Sequence, residues 1–561
     1  MPTLYNDVVI IGAGFSGINL ACQLQRKLKF TDYVIYDRGY ELGGTWSSNK
    51  YPGCGVDIPA IFYSLSWFPN ANFTSLFPPQ KEILEYLQHV AQRHKIISRI
   101  KLRTEWKSAQ WSEKTSRWHI VVQDLENGKT FVHEAKVLVS AVGGYTNPKY
   151  PTIHGIDTFK GPVVHTAKWN QEYDLKDRNV IVIGNGCSAS QVIPAIIDDV
   201  SSITQFIRSP QYYIPMPNFG INRLWRALFQ YTPLLLMLAR WCVFWVLETA
   251  LAQFYEDKSG QRARQNSVRK SQNYVRKSAP ERYWSLLSPR YDMGCKRRIL
   301  DNKYMKTLYD PKMVLTKDSV ISVGSNSVLS ASGREYTADF IILATGFEFT
   351  QWQADSVFGR NGISLKQHWD KFGGIEAYKT IAMNEFPNLF YLLGPNSGRG
   401  HTSVLYSMEC ISSVDLVIQV ARPILEGRAA SIEVRKDAEE DWCNTVQGAL
   451  KQTVLTKSCL NQFSDPKTGW NFFSYPFSSV SLWLGTRFPV MSHWSYRYCK
   501  AGFALKYYDS GFVLRSKAER RSKKKSETSN TIARVWSKVE NPSPLLAKHI
   551  LSAPRIQVVM F

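Results

Sequence analysis

Three observations predict an α/β protein built on two doubly wound, parallel-strand units. The first is a pair of segments of one design, an apolar tetrapeptide followed at once by a glycine turn and a helical pattern. Val8-Val9-Ile10-Ile11 runs into Gly12-Ala13-Gly14-Phe15-Ser16-Gly17 and then INLACQLQRKL, and Val180-Ile181-Val182-Ile183 runs into Gly184-Asn185-Gly186-Cys187-Ser188-Ala189 and then SQVIPAII. The second is size: 561 residues are too many for one core, because cores stop growing near ~250–300 residues. The third is the late return of short apolar strands, Phe340–Leu343 before Ala344-Thr345-Gly346-Phe347 and Leu389–Leu393 before Gly394-Pro395-Asn396-Ser397-Gly398. With 44% apolar residues, 34 Gly and 26 Pro, the composition excludes a disordered or collagen-like chain.

In each unit the first glycine permits the tight turn, and the second lets a pyrophosphate approach the backbone. The third position, Gly17 or Ala189, lets the helix pack close to the strand, with the phosphates at the helix N-terminus. One such motif is weak, but two copies 172 residues apart, each between a strand and a helix, mark two dinucleotide-binding, Rossmann-like domains. The end of the next strand separates the two cofactors. Tyr33-Val34-Ile35-Tyr36 ends at Asp37, 25 residues after Gly12, where a carboxylate accepts from ribose hydroxyls and repels a 2′-phosphate. Ile203-Thr204-Gln205-Phe206-Ile207 ends at Arg208-Ser209, and a cation in place of the acid suits a 2′-phosphate. The first unit is therefore expected to hold FAD and the second NADPH.

The expected organisation is a discontinuous FAD domain with the NADPH domain set into it. The FAD-binding domain takes residues 1–150 and 387–510, the NADPH-binding domain 151–215 and 301–386. A helical insertion occupies 216–300, and a basic C-terminal extension 511–561. Gly398, Gly400 and Ser403 precede a helix-like stretch over 404–421 that completes the first domain. Within the insertion, residues 224–254 have spanning length, but Arg240 and Glu248 lie inside them, and charges at bilayer depth are costly. A helical insert packed over the active site is the expectation, with attachment to an anionic membrane surface through 224–254 as the alternative.

The net charge of +23 suggests nucleic acid or membrane at first sight. Residues 262–282 and 515–525 each carry seven Lys/Arg against one Glu, over half of the excess, and no nucleic-acid motif accompanies them. The tail reads as a solvated extension, and no nucleic-acid partner is expected. The nine cysteines include no C-x-x-C pair, which argues against a zinc ribbon, a disulfide reductase and a secreted disulfide framework. No metal site is expected. Val8–Ile11 starts too early and leads straight into the glycine turn, so it is no signal peptide, and a cytoplasmic location follows.

The residues between the two units carry a family resemblance. Phe159, Gly161, His165 and Trp169 fit F-x-G-x-x-x-H-x-x-x-W, with Asn170 where the pattern usually closes on Pro or Asp. Gly43-Gly44-Thr45-Trp46, Tyr51-Pro52-Gly53, Asp57 with Tyr63, Lys296-Arg297 and the ATGF of 344–347 match as well. Together they resemble the type I Baeyer–Villiger monooxygenases of the flavin-containing monooxygenase family. The segment 459–490 looks like the fungal branch, although Asn461-Gln462-Phe463 stands where Ser-Trp-Tyr is expected.

The resemblance implies roles. Gly12, Gly14, Ser16 and Gly17 hold the FAD pyrophosphate and Asp37 its ribose, while Gly44, Thr45, Trp46, Asp57 and Tyr63 lie near the ribityl chain and ring. Gly184, Gly186, Ser188 and Ala189 cradle the NADPH pyrophosphate, and Arg208, Ser209 and Lys296 take the 2′-phosphate. Arg297 is the catalytic arginine beside the flavin, Asp57 its carboxylate partner, and His165 a structural coupling residue in an interdomain linker. The implied activity inserts one oxygen atom of O2 into an organic substrate through a C4a-peroxyflavin, foremost a ketone going to an ester or lactone in fungal secondary metabolism. A flavin N/S-oxygenase or hydroxylase of the same fold is the first alternative. A non-catalytic, membrane-associated flavoprotein is the second.

Overall fold

The computed structural model describes residues 3–349, 352–403, 413–457, 463–465 and 467–499. The basic extension 511–561, Asn461-Gln462 and residues 404–412 of the glycine-led helix expected over 404–421 lie outside them, and the rest of that stretch is helical within Ser413–Leu425. Along the chain the first sheet takes β1 (Thr3–Ile11), β2 (Tyr33–Tyr36), β3 (Ile100–Lys101), β4 (Thr104–Ser112), β5 (Arg117–Asp124) and β6 (Thr130–Ser140), in the spatial order β4-β5-β6-β1-β2-β3. Val8 to Ile11 are apolar throughout because β1 is central, paired in parallel with both β2 and β6 and covered on both faces. β5 alternates, and its Trp118, Ile120 and Val122 point inward, as suits an antiparallel meander with one wet face. Helix α1 (Phe15–Leu28) makes the crossover from β1 to β2 and buries Ile18, Leu20, Ala21 and Leu24.

The strand Leu389–Tyr391 returns to this sheet beside β6, in parallel. Val357–Phe358 also joins it, beside β4, so the chain is back on the first sheet inside the 301–386 stretch that the sequence assigns to the second unit. A two-residue strand has no periodicity to read.

The second sheet is wholly parallel. It contains β7 (Val163–His165), β8 (Asn179–Ile183), β9 (Ser202–Phe206), β10 (Met313–Thr316) and β11 (Phe340–Leu343), in the order β10-β9-β8-β11-β7. Helix α2 (Cys187–Ile196) crosses from β8 to β9. The segment read as an interdomain linker supplies β7, an edge strand. The two units meet where the 51–55 loop packs on α2. Tyr51 donates to Gln191 Oε1 at 2.7 Å, and Gln191 Nε2 donates to the Gly55 carbonyl at 3.1 Å. Gly53 sits there at φ +77° with its missing Cβ only 2.3 Å from the Gln191 carbonyl oxygen, so no other residue fits.

The insertion is helical. Asn222 caps α3 (Arg223–Tyr231), Pro233 opens α4 (Pro233–Glu248), and Asp257 caps α5 (Lys258–Ser278). Only Leu236 and Phe244 of α4 are buried. The two charges that argued against a span are both turned to the protein. Arg240 donates to the Ile61 carbonyl at 2.8 Å, to Ser64 Oγ at 2.8 Å and to the Ser64 carbonyl at 3.0 Å. Glu248 accepts from the Ser479 amide at 2.7 Å and faces His401 Nε2 at 3.2 Å. Burial pushes the Glu248 carboxyl up, but His401 and Ser479 outweigh it and hold it below the ordinary range. Among the described residues six cysteines are free and Cys295 is disulfide-bonded.

Candidate active site

Both glycine turns have the geometry their spacing predicts. Gly12 and Gly184 have φ of +111° and +124°. A Cβ on Gly17 would lie 1.9 Å from the Gly12 carbonyl oxygen, so the close approach of α1 to β1 depends on its absence. Helices α1 and α2 start at Gly14 and Gly186 with no side-chain cap and no acid in the first turn. An anion at either helix start is favoured by the helix dipole and meets no competing carboxylate in the first turn. A Cβ on Gly186 would meet nothing within 4 Å. The protein's own packing has no use for that glycine, whereas a pyrophosphate lying on the turn does. The residues present thus fit the phosphates of two dinucleotides.

The strand ends also sit where predicted. Asp37, just past β2, accepts from the Ala13 amide at 2.7 Å and from the Gly39 amide at 2.7 Å. It buttresses the first turn and keeps lone pairs for a ribose. At the end of β9, Lys296 Nζ donates to Ser209 Oγ at 3.0 Å, and Arg208 is exposed beside them. Burial and the neighbouring Arg208 push the Lys296 ammonium down. Two cations held together without a carboxylate form a site suited to a multiply charged anion. Ser188, in the first turn of α2, lies beside the Tyr51 hydroxyl, and Ala189 is buried under the turn.

Arg297 and Asp57, 240 residues apart in sequence, come together. Nε and Nη2 both donate to Asp57 Oδ2, at 2.9 and 2.6 Å, which leaves Nη1 free of that carboxylate. Asp57 raises the Arg297 pKa further above its ordinary value, so the cation is permanent. The side chains are 36% and 26% exposed, and Arg297 faces a cavity. Arg297 lines that cavity with Arg298, Tyr145, Phe254, Arg399 and Phe473. In the segment after the first glycine unit, the Trp46 and Tyr63 rings meet edge to face at 5.6 Å, and Thr45 opens the short helix that Gly44 caps. Burial lifts the Tyr63 hydroxyl well above its ordinary range and the Tyr145 hydroxyl to about 12.

Tyr145, Phe254, Arg399 and Phe473 were not singled out by sequence. One signal was available: a Cβ on Gly398 would enter the Phe473 ring at 2.1 Å, and one on Gly400 the Phe254 ring at 2.6 Å. The glycines of GPNSGRG mark where aromatic rings close the cavity. Cys187, at the start of α2, also lies beside Arg297, and burial pushes its thiol up to about 11.

The fingerprint residues are packing elements. Phe159 is in a core cluster, a Cβ on Gly161 would meet the Asp339 carbonyl oxygen at 2.2 Å, and Trp169 packs on Tyr173 and Phe340. His165 is buried between Tyr150 and Phe347, its Nδ1 accepting from the Ala167 amide at 3.1 Å. Burial pushes its pKa down to about 4, so the ring is neutral. It fastens β7 to the segment after β11, and the Phe347 ring it touches packs in turn on Tyr145 of the cavity wall.

The family described as flavin-binding monooxygenase-like matches residues 5–361. A Baeyer–Villiger monooxygenase of Pseudomonas aeruginosa is 31% identical over 84% of this chain and 87% of its own length. The FAD-binding monooxygenase ktnD of Aspergillus niger is 30% identical over 82% of this chain and 75% of its own. A cyclohexanone monooxygenase in its closed crystal form shares the fold, with a TM-score of 0.77 and 24% identity over 89% of this chain and 100% of that one. Two phosphate-ready glycine turns, a permanent cation in a cavity and these relatives agree: the chain belongs to the flavin-binding monooxygenase-like family and is a flavin monooxygenase of the Baeyer–Villiger type.

Proposed function

We propose that this enzyme uses FAD and NADPH to insert one oxygen atom of O2 beside the carbonyl of a ketone, giving an ester or lactone. When bound, the two cofactors supply the hydride and the activation of O2; the chain supplies binding, orientation and a dry, charged cavity. In this reading Gly12, Gly14, Ser16, Gly17 and Asp37 hold FAD, and Gly44, Thr45, Trp46 and Tyr63 border its ring. Gly184, Gly186, Ser188 and Ala189 hold the NADPH pyrophosphate, and Arg208, Ser209 and Lys296 its 2′-phosphate.

The observation that carries the proposal is the Arg297–Asp57 pair. A ketone oxygenation builds negative charge on the attacking oxygen and then on the former carbonyl oxygen. A cation already fixed in place stabilises that charge without reorganising. Asp57 anchors one edge of the guanidinium and leaves the other to the cavity. Attack on an amine or thioether develops no comparable anion and has no need of it. The aromatic wall of Tyr145, Phe254, Phe463 and Phe473 suits a bulky, apolar ketone of the kind secondary metabolism makes. Purified yellow protein should consume O2 on addition of NADPH and convert members of a ketone panel to esters or lactones. Sulfoxide or N-oxide products with no ester from any ketone would overturn the reading.

A further inference from the structure

The outward face of α3 and α4 is a continuous apolar stripe. On α4 the exposed residues are Pro233, Leu234, Met237, Leu238, Trp241, Cys242, Trp245 and Val246, which recur at intervals of three and four and include no charge. Leu224, Trp225, Leu228 and Tyr231 extend it along α3. The exposures are large, 62% for Leu234, 53% for Trp241, 68% for Val246 and 81% for Tyr231. Soluble monomers rarely leave a contiguous apolar patch of this extent to water. The two charges within the helix are both committed to the protein side, Arg240 to residues 61 and 64 and Glu248 to His401 and Ser479.

We propose that this face seats the enzyme on an anionic phospholipid surface, with α3 and α4 lying in the interface and not crossing it. A crossing is wrongly wired: the helical run Pro233–Phe254 has 22 residues, enough to span, but Arg240 and Glu248 lie within it and are held by partners on the protein side. Three tryptophans and a tyrosine on the stripe suit the headgroup boundary, where an apolar ring body meets a polar edge. Charge selects lipid over a second copy of the chain. Helix α5, which starts ten residues on, exposes Lys258, Arg262, Arg269, Lys270, Arg276 and Lys277, with Glu256 and Asp257 exposed just before it and Glu281 just after. Every copy carries +23, so a symmetric dimer through this face brings like charges together. The basic part of the chain's own tail is no better suited, since residues 515–525 hold seven cations against one Glu. Anionic lipid complements both the stripe and its basic neighbour. The seat depends on this face alone and not on which group the enzyme oxygenates. It has a consequence for access all the same, because Gln253 and Phe254, just past α4, line the cavity and bring an apolar substrate's route close to the lipid.

Flotation of the full-length, FAD-loaded enzyme with phosphatidylcholine vesicles, with and without about 30% phosphatidylserine, tests the proposal. The wild type is expected to float with the anionic vesicles, and much less with neutral ones. A Trp241→Asp/Trp245→Asp double variant should keep its flavin and melting temperature, because both side chains face outward, and partition ~10–100-fold more weakly. A wild type that stays at the bottom of the gradient refutes it, as does a double variant that floats equally well. A wild-type dimer that the double variant splits into monomers, without any vesicle binding, assigns the face to self-association and refutes it too.

Discussion

Replacing Arg297 by alanine should separate the two halves of the reaction. The guanidinium spends Nε and one Nη2 hydrogen on Asp57 and offers its remaining edge to the cavity. Its removal takes away at least one charge-assisted donor to the anion that forms during oxygen insertion. Such a donor is worth ~2.7–4 kcal/mol in a preorganised site, a factor of ~10²–10³ in rate. Hydride transfer from NADPH comes before that charge exists, so flavin reduction should survive within about tenfold. The cost to folding should be small. The ion pair is part-exposed, and pairs of that kind contribute roughly 0–1 kcal/mol. Asp57→Ala should give a milder oxygenation defect, since it frees the arginine without removing it. Arg298→Ala is the control, because Arg298 lines the same cavity but burial and the Arg297 charge lower its pKa. Anaerobic stopped-flow reduction, followed by quantified ester formation in air, reads both halves. An Arg297→Ala enzyme that still makes ester at near wild-type rate would end the argument. One that loses its flavin would assign Arg297 a structural role instead.

Three further outcomes are expected. Arg208→Ala should weaken NADPH ~10–100-fold and leave NADH nearly unchanged, as measured by titration of flavin reduction; equal losses for both would remove the 2′-phosphate assignment. Gly186→Ala should fold normally, since its Cβ meets nothing within 4 Å, yet bind NADPH more weakly, whereas Gly17→Ala should fail to fold or to load flavin because its Cβ lies 1.9 Å from the Gly12 carbonyl oxygen; similar melting temperatures for the two would contradict this. Stability should also fall on the alkaline side. Burial alone would lower the pKa of His368, but Glu376, Glu439 and Glu385 raise it to about 10, so its stabilisation is full below its unfolded value of ~6.5 and lost as pH climbs through about 10. Burial, with Glu439 beside it, pushes Glu376 well up, so this carboxyl too favours the fold while it keeps its proton. Melting curves from about pH 7 to about 10 should drop less steeply for Glu376→Gln than for wild type, and parallel curves would count against the cluster.

Much of this enzyme was legible in its sequence because the demands involved are local. A turn at φ above +100° and a helix pressed against its own strand require glycine within a few residues, so Gly12, Gly17 and Gly184 announced the two nucleotide units. The sign of the charge at the next strand end, Asp37 or Arg208, separated the two cofactor expectations for the same reason, since strand, turn and ligand contact follow one another along the chain. Contacts between distant segments leave no such trace. Nothing local around Asp57 or Arg297 points to the other; only the family resemblance paired them in the sequence, and the contact itself follows from how the 51–57 loop docks against the second unit. The aromatic wall of the cavity comes from three separate stretches, and the His368–Glu376–Glu439 cluster gathers around a turn and a distant helix. Hydropathy read residues 224–254 as a buried insert or a membrane segment, with Arg240 and Glu248 as the obstacle to the second. Only the tertiary structure decided which side of the helix those charges occupy. Because both find their partners inside the protein, the face they leave behind is uncharged and open.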